Sequence, residues 1–240
     1  MRQLVLSGGV GHDVDGIAAE LVEVAVEVAG DGAETIVAPD PPTALARLRA
    51  VEAGDEEPVD VLTVAALWWR MEAERFAGQR DAAFDLRDDD AAVIERHVIG
   101  GGGLLALHTA VICFDAQPRW RRLCGAAWDW ERSAHPPAGP VAVRVTAAGQ
   151  DHDLTAGLDD FELDDEVYGF LDEDPDLVPL LASGHGGRDH PVLWARELGG
   201  GRVVTDLLGH APSSLTHPTH RTILGRALRW AGRRTAEPVA

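Results

Sequence analysis

The chain has 240 residues, 45% of them hydrophobic, with a mean hydropathy near zero, which suits a large α/β domain and excludes a disordered chain. Its formal net charge of −19 argues against nucleic acid and anionic membranes as partners. Two cysteines, Cys113 and Cys124, make neither a zinc spacing nor a disulfide framework, so a reducing cytoplasm is expected. No apolar stretch approaches the ~18 residues of a membrane span, and the apolar run within MRQLVLSGG is too short for a signal peptide.

Residues 2–7 read as a strand, followed by a loop through Gly8, Gly9 and Gly11 to His12. Residues 15–29 place Ile17, Leu21, Val24 and Val28 at helical spacing and stop at Gly30. A strand over 33–38 closes at Asp40-Pro41-Pro42, a helix follows over 43–52, and a third strand spans 59–65. Strands alternating with helices predict a right-handed, doubly wound parallel sheet. Residues 66–87 break the rhythm with Trp68-Trp69-Arg70 and a long polar loop, a feature usually functional or mobile. Asp88, Asp89 and Asp90 read as the cap of a helix running to Val98.

The next stretch, GGGGLLALHTA over 100–110, is the centre of the chain. Leu104–Leu107 has the unbroken apolar character of a buried parallel strand, and His108 stands at its carboxyl end, where ligands gather in open α/β sheets. The glycines precede the strand, so they read as a helix stop and tight turn and not as a phosphate loop. Beyond His108 come a short helix over 118–123 and an irregular aromatic loop over 125–135. Strands are expected at 141–145, 161–170, 177–181, 191–194 and 203–207, and an amphipathic helix at 221–230. Residues 1–232 read as one α/β domain whose second half inserts partly antiparallel strands, and 233–240 as a frayed tail.

Gly9-Val10-Gly11 lacks the third glycine of a dinucleotide fingerprint, because Val14 stands there. No G-x-S-x-G, H-E-x-x-H or C-x-x-C occurs. The histidines are more informative. A lone histidine is more often structural, but His12, His108 and His210 each follow a strand of the parallel set, and those strand ends converge. Neutral imidazoles there bind metal or move protons near neutral pH. His217 and His220 read as capping or surface residues, and His97 as an ordinary helix residue. The acidic candidates are Asp129, Asp165 and Glu166; as a surface cluster 164–166 is merely solvated, and as a functional one it gives the histidines a carboxylate. Trp68, Trp128 and Trp130 in loops suit either the apolar faces of sugar rings or a hydrophobic lid.

Several motifs in order carry a resemblance: GGVGHD at 8–13, GGGLLALHTA at 101–110, the 128–136 loop ending His135-Pro136, DHDLTAGL at 151–158, FELDDEVY at 161–168, and HPVLWARELGGGRVVTDLLGH at 190–210. With the closing helix ending at Trp230, the chain resembles the ThuA-like family of trehalose-utilisation proteins, within the class I glutamine amidotransferase-like superfamily. The resemblance covers nearly the whole chain and implies a flavodoxin-like core, with His108 at the elbow where amidotransferases carry a cysteine nucleophile. Cys113 lies five residues later, and His217-Pro218-Thr219 lacks the glutamate of the amidotransferase His-x-Glu pair, so glutaminase activity is not expected. The matched positions are His12, His108, Glu166, Tyr168, Trp194 and His210.

The resemblance implies a carbohydrate-utilisation protein acting on a glycoside or an oxidised sugar derivative. His108, His210 and Glu166 would be catalytic, with His12, Trp128, Asp129, Tyr168 and Trp194 against the substrate. His12, His108 and His210 would hold a divalent metal such as zinc. Its expected partners are a small-molecule sugar, a sugar dehydrogenase of the same pathway and further copies of itself. Two rivals stay open: a non-catalytic carbohydrate-binding or regulatory protein, and a metal-dependent hydrolase of another small molecule.

Overall fold

In the computed structural model, which describes residues 1–232, the first half alternates as the sequence predicts. Strands β1 (Arg2–Leu6), β2 (Glu34–Ala38), β3 (Val61–Val64) and β4 (Gly103–Leu107) are joined by helices α1 (Val14–Ala29), α2 (Pro41–Ala53) and α3 (Asp88–Ile99). The second half contains α4 (Pro118–Cys124), β5 (Ala126–Ala127), β6 (Gly139–Val145), α5 (Ala147–Gln150), β7 (Phe161–Asp165) and β8 (Asp172–Glu173). It ends with β9 (Leu181–His185), β10 (Arg188–Leu198), β11 (Gly201–Asp206), α6 (Pro212–Thr216) and α7 (Pro218–Ala231). Residues 233–240, expected as a frayed tail, lie outside the described residues.

Nine strands form one sheet in the order β2-β1-β3-β4-β11-β10-β9-β6-β7. The first five pair in parallel, in the 2-1-3-4-5 order of a flavodoxin-like fold. The remaining four pair antiparallel and extend the sheet beyond β11. Helices α1, α6 and α7 pack together as one layer, and α2, α3 and α4 as the other. The inner parallel strands are buried, from Leu4 and Val5 to Leu104–Leu107 and Val203–Val204, which is why their sequences run apolar without alternation; the edge strand β2 is partly exposed, at Glu34 and Val37. Among the described residues no helix is long and apolar enough to cross a membrane.

Local chemistry explains the helix ends. Asp13 caps α1 by accepting from the Gly16 amide at 3.0 Å, and Asp40 caps α2 by accepting from Thr43 at 2.8 Å. The cap of α3 is Arg87 and not the aspartates, which occupy its first turn and pair instead with arginines: Asp88 with Arg119, Asp90 with Arg49 and Arg87. Of the glycines before β4, Gly101 supplies the turn, with φ +105°. Gly103 serves close packing: a Cβ there would lie 2.5 Å from the Ala231 carbonyl oxygen of α7.

Residues 66–87 contain a 3₁₀ stretch, Glu74–Ala82, and are fastened to the 125–135 loop. Phe76 and Trp69 meet Trp130 edge-on or tilted at 5.5 and 5.9 Å, and the Asp115 carboxylate accepts from Trp130 Nε1 and from Arg70.

The loop after β1 depends on Gly9, which has φ +100° and bridges to Leu67. A Cβ there would sit 2.1 Å from the Leu67 carbonyl oxygen. Gly9→Ala is therefore expected to destabilise the protein by more than about 1 kcal/mol. Urea denaturation measures this directly, and an unchanged midpoint would refute it.

Candidate functional site

Three strand ends and one departing strand deliver the site. His12 lies in the loop after β1, His108 directly follows β4, His210 follows β11, and Glu166 directly follows β7. One potential donor atom from each lies within 4.8 Å of those of the other three. The imidazole rings stand edge to face, with His12 centred 5.3 Å from His108 and 4.9 Å from His210. Glu166 Oε2 lies 3.5 Å from His108 Nε2 and 3.3 Å from His210 Nδ1. A fourth imidazole, His135, places Nδ1 3.2 Å from the other carboxylate oxygen, Oε1.

The orientation of His108 follows from its neighbours. Its Nδ1 is 2.7 Å from the Leu207 carbonyl oxygen, which can only accept, so Nδ1 carries the hydrogen. Nε2 then presents a lone pair to the cluster and accepts from the Tyr168 hydroxyl at 2.9 Å. His108 has φ +47° at the strand-to-helix elbow. A non-glycine residue held there costs ~1–3 kcal/mol, which surrounding contacts must offset.

The electrostatics separate the groups. Burial, reinforced by the adjacent His108 and His210 imidazoles, lowers the His12 pKa to about 4, against the weaker opposing pull of Glu166 and the Val10 carbonyl. His12 is therefore neutral near pH 7. Burial alone would raise the Glu166 pKa, but the surrounding imidazoles, His108 first and then His135 and His210, bring it below the ordinary carboxylate value. Burial, together with the Glu166 and Asp165 carboxylates, pushes the Tyr168 phenol well above its ordinary value. A carboxylate held ionised and a phenol held protonated thus face the same imidazole.

Both ring nitrogens of His12 and Nδ1 of His210 are buried without a hydrogen-bond partner. Unpaired buried polar atoms cost ~1–3 kcal/mol each, and these three belong to a cluster of metal-ligand type.

Other residues singled out from the sequence fall in different places. Trp128 is at the cluster's flank, its ring centred 5.3 Å from Tyr168 and 5.9 Å from His135. Asp129 is not brought in: its carboxylate accepts from the Glu131 amide at 2.9 Å and Arg132 Nε at 2.6 Å, closing its own loop. Trp194, expected against the substrate, is only 1% exposed, and its indole donates to the Cys124 carbonyl at 2.7 Å. It is a core residue. His220 is buried and not at the surface. In the sequence, the only signal for His135 is its place at the end of a loop rich in tryptophan.

The elbow carries no cysteine. Cys113 lies in the next turn, buried, donating to the Ala66 carbonyl and accepting from the Trp68 amide. Burial pushes its thiol up to about 12, and raises that of Cys124 well above the ordinary value. Neither thiol is expected to react with iodoacetamide in the native protein at neutral pH, whereas both label after unfolding in urea. Rapid native labelling, read by mass spectrometry, would contradict this burial.

A family model described as ThuA, trehalose utilisation, matches residues 62–231. The chain belongs to the ThuA family. Solved structures agree on the fold. A ThuA-like protein from Parabacteroides merdae is 14% identical, with a TM-score of 0.71 over 99% of this chain and 92% of its own. One from Bacteroides uniformis is 17% identical, with a TM-score of 0.66 over 96% of this chain and 91% of its own. A cytoplasmic protein of Salmonella typhimurium is 14% identical, with a TM-score of 0.64 over 97% of this chain and all of its own. No curated protein matches the chain in sequence. The ThuA match includes His108, Glu166 and His210, while His12 lies before its first matched residue.

Proposed function

We propose that this ThuA-family chain holds one divalent first-row metal between His12, His108, His210 and Glu166, and acts on an oxidised sugar or related polyhydroxylated carbonyl compound. The observation that carries this reading is the convergence of four donor groups within 4.8 Å, with three imidazole nitrogens buried and unpartnered. Three imidazoles and a carboxylate suit zinc and the other later first-row metals. Such an ion supplies Lewis acidity toward a carbonyl or hydroxyl oxygen.

The chain's own groups handle orientation and protons. The Leu207 carbonyl fixes the His108 tautomer, so that Nε2 faces the cluster. Glu166 serves as proton acceptor, and His135, partly exposed and 3.2 Å from Oε1, carries that proton toward solvent. Tyr168, kept protonated and facing the same His108 nitrogen, is the donor. Trp128 offers an apolar ring face beside them. A carboxylate that takes the proton from a carbon next to a carbonyl, and a phenol that protonates the carbonyl oxygen, suit enolisation of such a compound. Glutamine hydrolysis is not part of this reading, because the elbow has His108 in place of a cysteine.

Titration of metal-free, untagged protein with cobalt(II) tests the proposal. One equivalent is expected to give ligand-field absorption that His108→Ala abolishes. Substoichiometric uptake, unaffected by His108→Ala, would reduce the histidines to polar contacts. The tryptophan faces of Trp128 and Trp130 would then favour a carbohydrate-binding role without catalysis.

A further inference from the structure

Behind the site lie four polar side chains cut off from solvent: Asp165, Asp206, Ser214 and His220. The Asp165 carboxylate takes a full set of donors. Oδ1 accepts from the Glu166 amide at 2.8 Å and the His210 amide at 3.2 Å, and Oδ2 from the Gly209 amide at 2.8 Å and the Ser214 hydroxyl. His220 Nδ1 is 2.9 Å from the Ser214 carbonyl oxygen, and its Nε2 is 3.2 Å from Asp206 Oδ2. Both nitrogens face acceptors, which suits a doubly protonated ring. Burial opposes that charge, but Asp206, aided by Asp165, outweighs it and raises the His220 pKa above its ordinary value. The other oxygen of Asp206 accepts from the Leu208 amide at 3.0 Å.

This arrangement resembles a Ser-His-Asp triad but cannot act as one. Ser214 gives its proton to Asp165, and the hydroxyl is closed to solvent. Its place in the fold gives a different role. Glu166 follows β7, at the far edge of the sheet, and His210 follows β11, with β10, β9 and β6 between them. No strand pairing joins those two strand ends. The bonds from Asp165 do join them, because one carboxylate accepts from the amides of Glu166, Gly209 and His210 together. Asp206 and His108 hold the preceding residues of the same turn, through the Leu208 amide and the Leu207 carbonyl.

We infer that Asp165, backed by Ser214, His220 and Asp206, is a positioning residue that sets Glu166 and His210 in register with each other. Asp165 touches no substrate in this role. Its metal consequence rests on the function proposed above, but its structural content does not.

Asp165→Asn is the decisive variant, since an amide nitrogen would oppose backbone N–H groups that now have an acceptor. Two readouts are taken: hydrogen exchange of the Gly209 and His210 amides in metal-free protein, and cobalt(II) affinity with its ligand-field spectrum. Exchange at those amides is expected to quicken about tenfold or more, the scale of a charge-assisted hydrogen bond. Cobalt binding is expected to weaken about 10–100-fold with an altered spectrum, as for lost outer-sphere support. Asp90→Asn, which removes the partner of Arg49 and Arg87 on α3, is the control for stability alone and should move neither readout. Wild-type exchange at both amides in Asp165→Asn would overturn the inference. If wild-type protein takes up no cobalt, the metal reading fails by itself and exchange alone decides the positioning role. If Asp165→Asn does not fold, Ser214→Ala replaces it. It removes one donor to Asp165 and should quicken the same amides, and unchanged exchange would again overturn the inference.

Discussion

Glu166→Gln is expected to weaken divalent-metal binding by more than about 100-fold, beyond the usual effect of losing an outer-sphere partner. Among the described residues, its side chain is the one carboxylate within ion-pair distance of His108, His135 and His210. Glutamine keeps its shape but loses the charge, and its amide nitrogen would turn a donor toward the imidazole nitrogens. The same variant carries a pH signature in the metal-free protein. The folded Glu166 pKa lies below its unfolded value, so its stabilising contribution is complete above the ordinary carboxylate range and is lost as pH falls through the lowered value. The stability gap between wild type and Glu166→Gln should therefore close in acid. Cobalt titration and denaturation across pH measure both effects; wild-type affinity in the variant would remove Glu166 from the ligand set.

Trp194→Ala should cost ~3–5 kcal/mol of stability, the range for deleting a large buried aromatic side chain. Trp194 on β10 is among the largest fully buried side chains and lies beside Thr205 of β11. The Cys124 carbonyl that receives its indole N–H also accepts from the Thr205 hydroxyl at 2.9 Å. Trp194→Phe therefore leaves that carbonyl satisfied and should cost only about 1 kcal/mol beyond the packing change. Neither substitution is expected to change the cobalt spectrum of the folded protein. A Trp194→Phe variant of wild-type stability that lost metal or sugar binding would return this residue to the site.

How much of this was legible depended on burial. The parallel strands could be placed from sequence because helices cover both faces, leaving unbroken runs such as Leu104–Leu107. The antiparallel half was harder. A strand expected at 177–181 forms instead at Leu181–His185, whose residues Ser183 and Gly184 lack a strand-like apolar pattern. Pairing with β6 and β10 and the glycine turn at Gly186-Gly187 fix it there. The strand expected over 161–170 ends at Asp165, because the chain leaves the sheet to carry Glu166 inward. His12, His108 and His210 could be grouped because parallel strand ends share an edge. Asp129 and Trp194 lie away from the cluster, and residue type does not say whether a carboxylate closes its own loop or an indole faces the core. His135 lies in a loop where no periodicity operates, while His220 shares the buried face of α7 with Ile223, Leu224 and Ala227, one residue ahead of the helix expected over 221–230; only the folded chain brings the two near Glu166 and Asp206.

Tyr168 is the only tyrosine in the chain, and its hydroxyl occupies the lone pair of His108 Nε2. Any occupant that claims that nitrogen must first break the phenol's bond. The protein thus contains a single-residue reporter of its own occupancy. Biosynthetic incorporation of fluorotyrosine would give one fluorine resonance, whose shift upon adding a metal or a candidate sugar would score ligands without any assay of turnover.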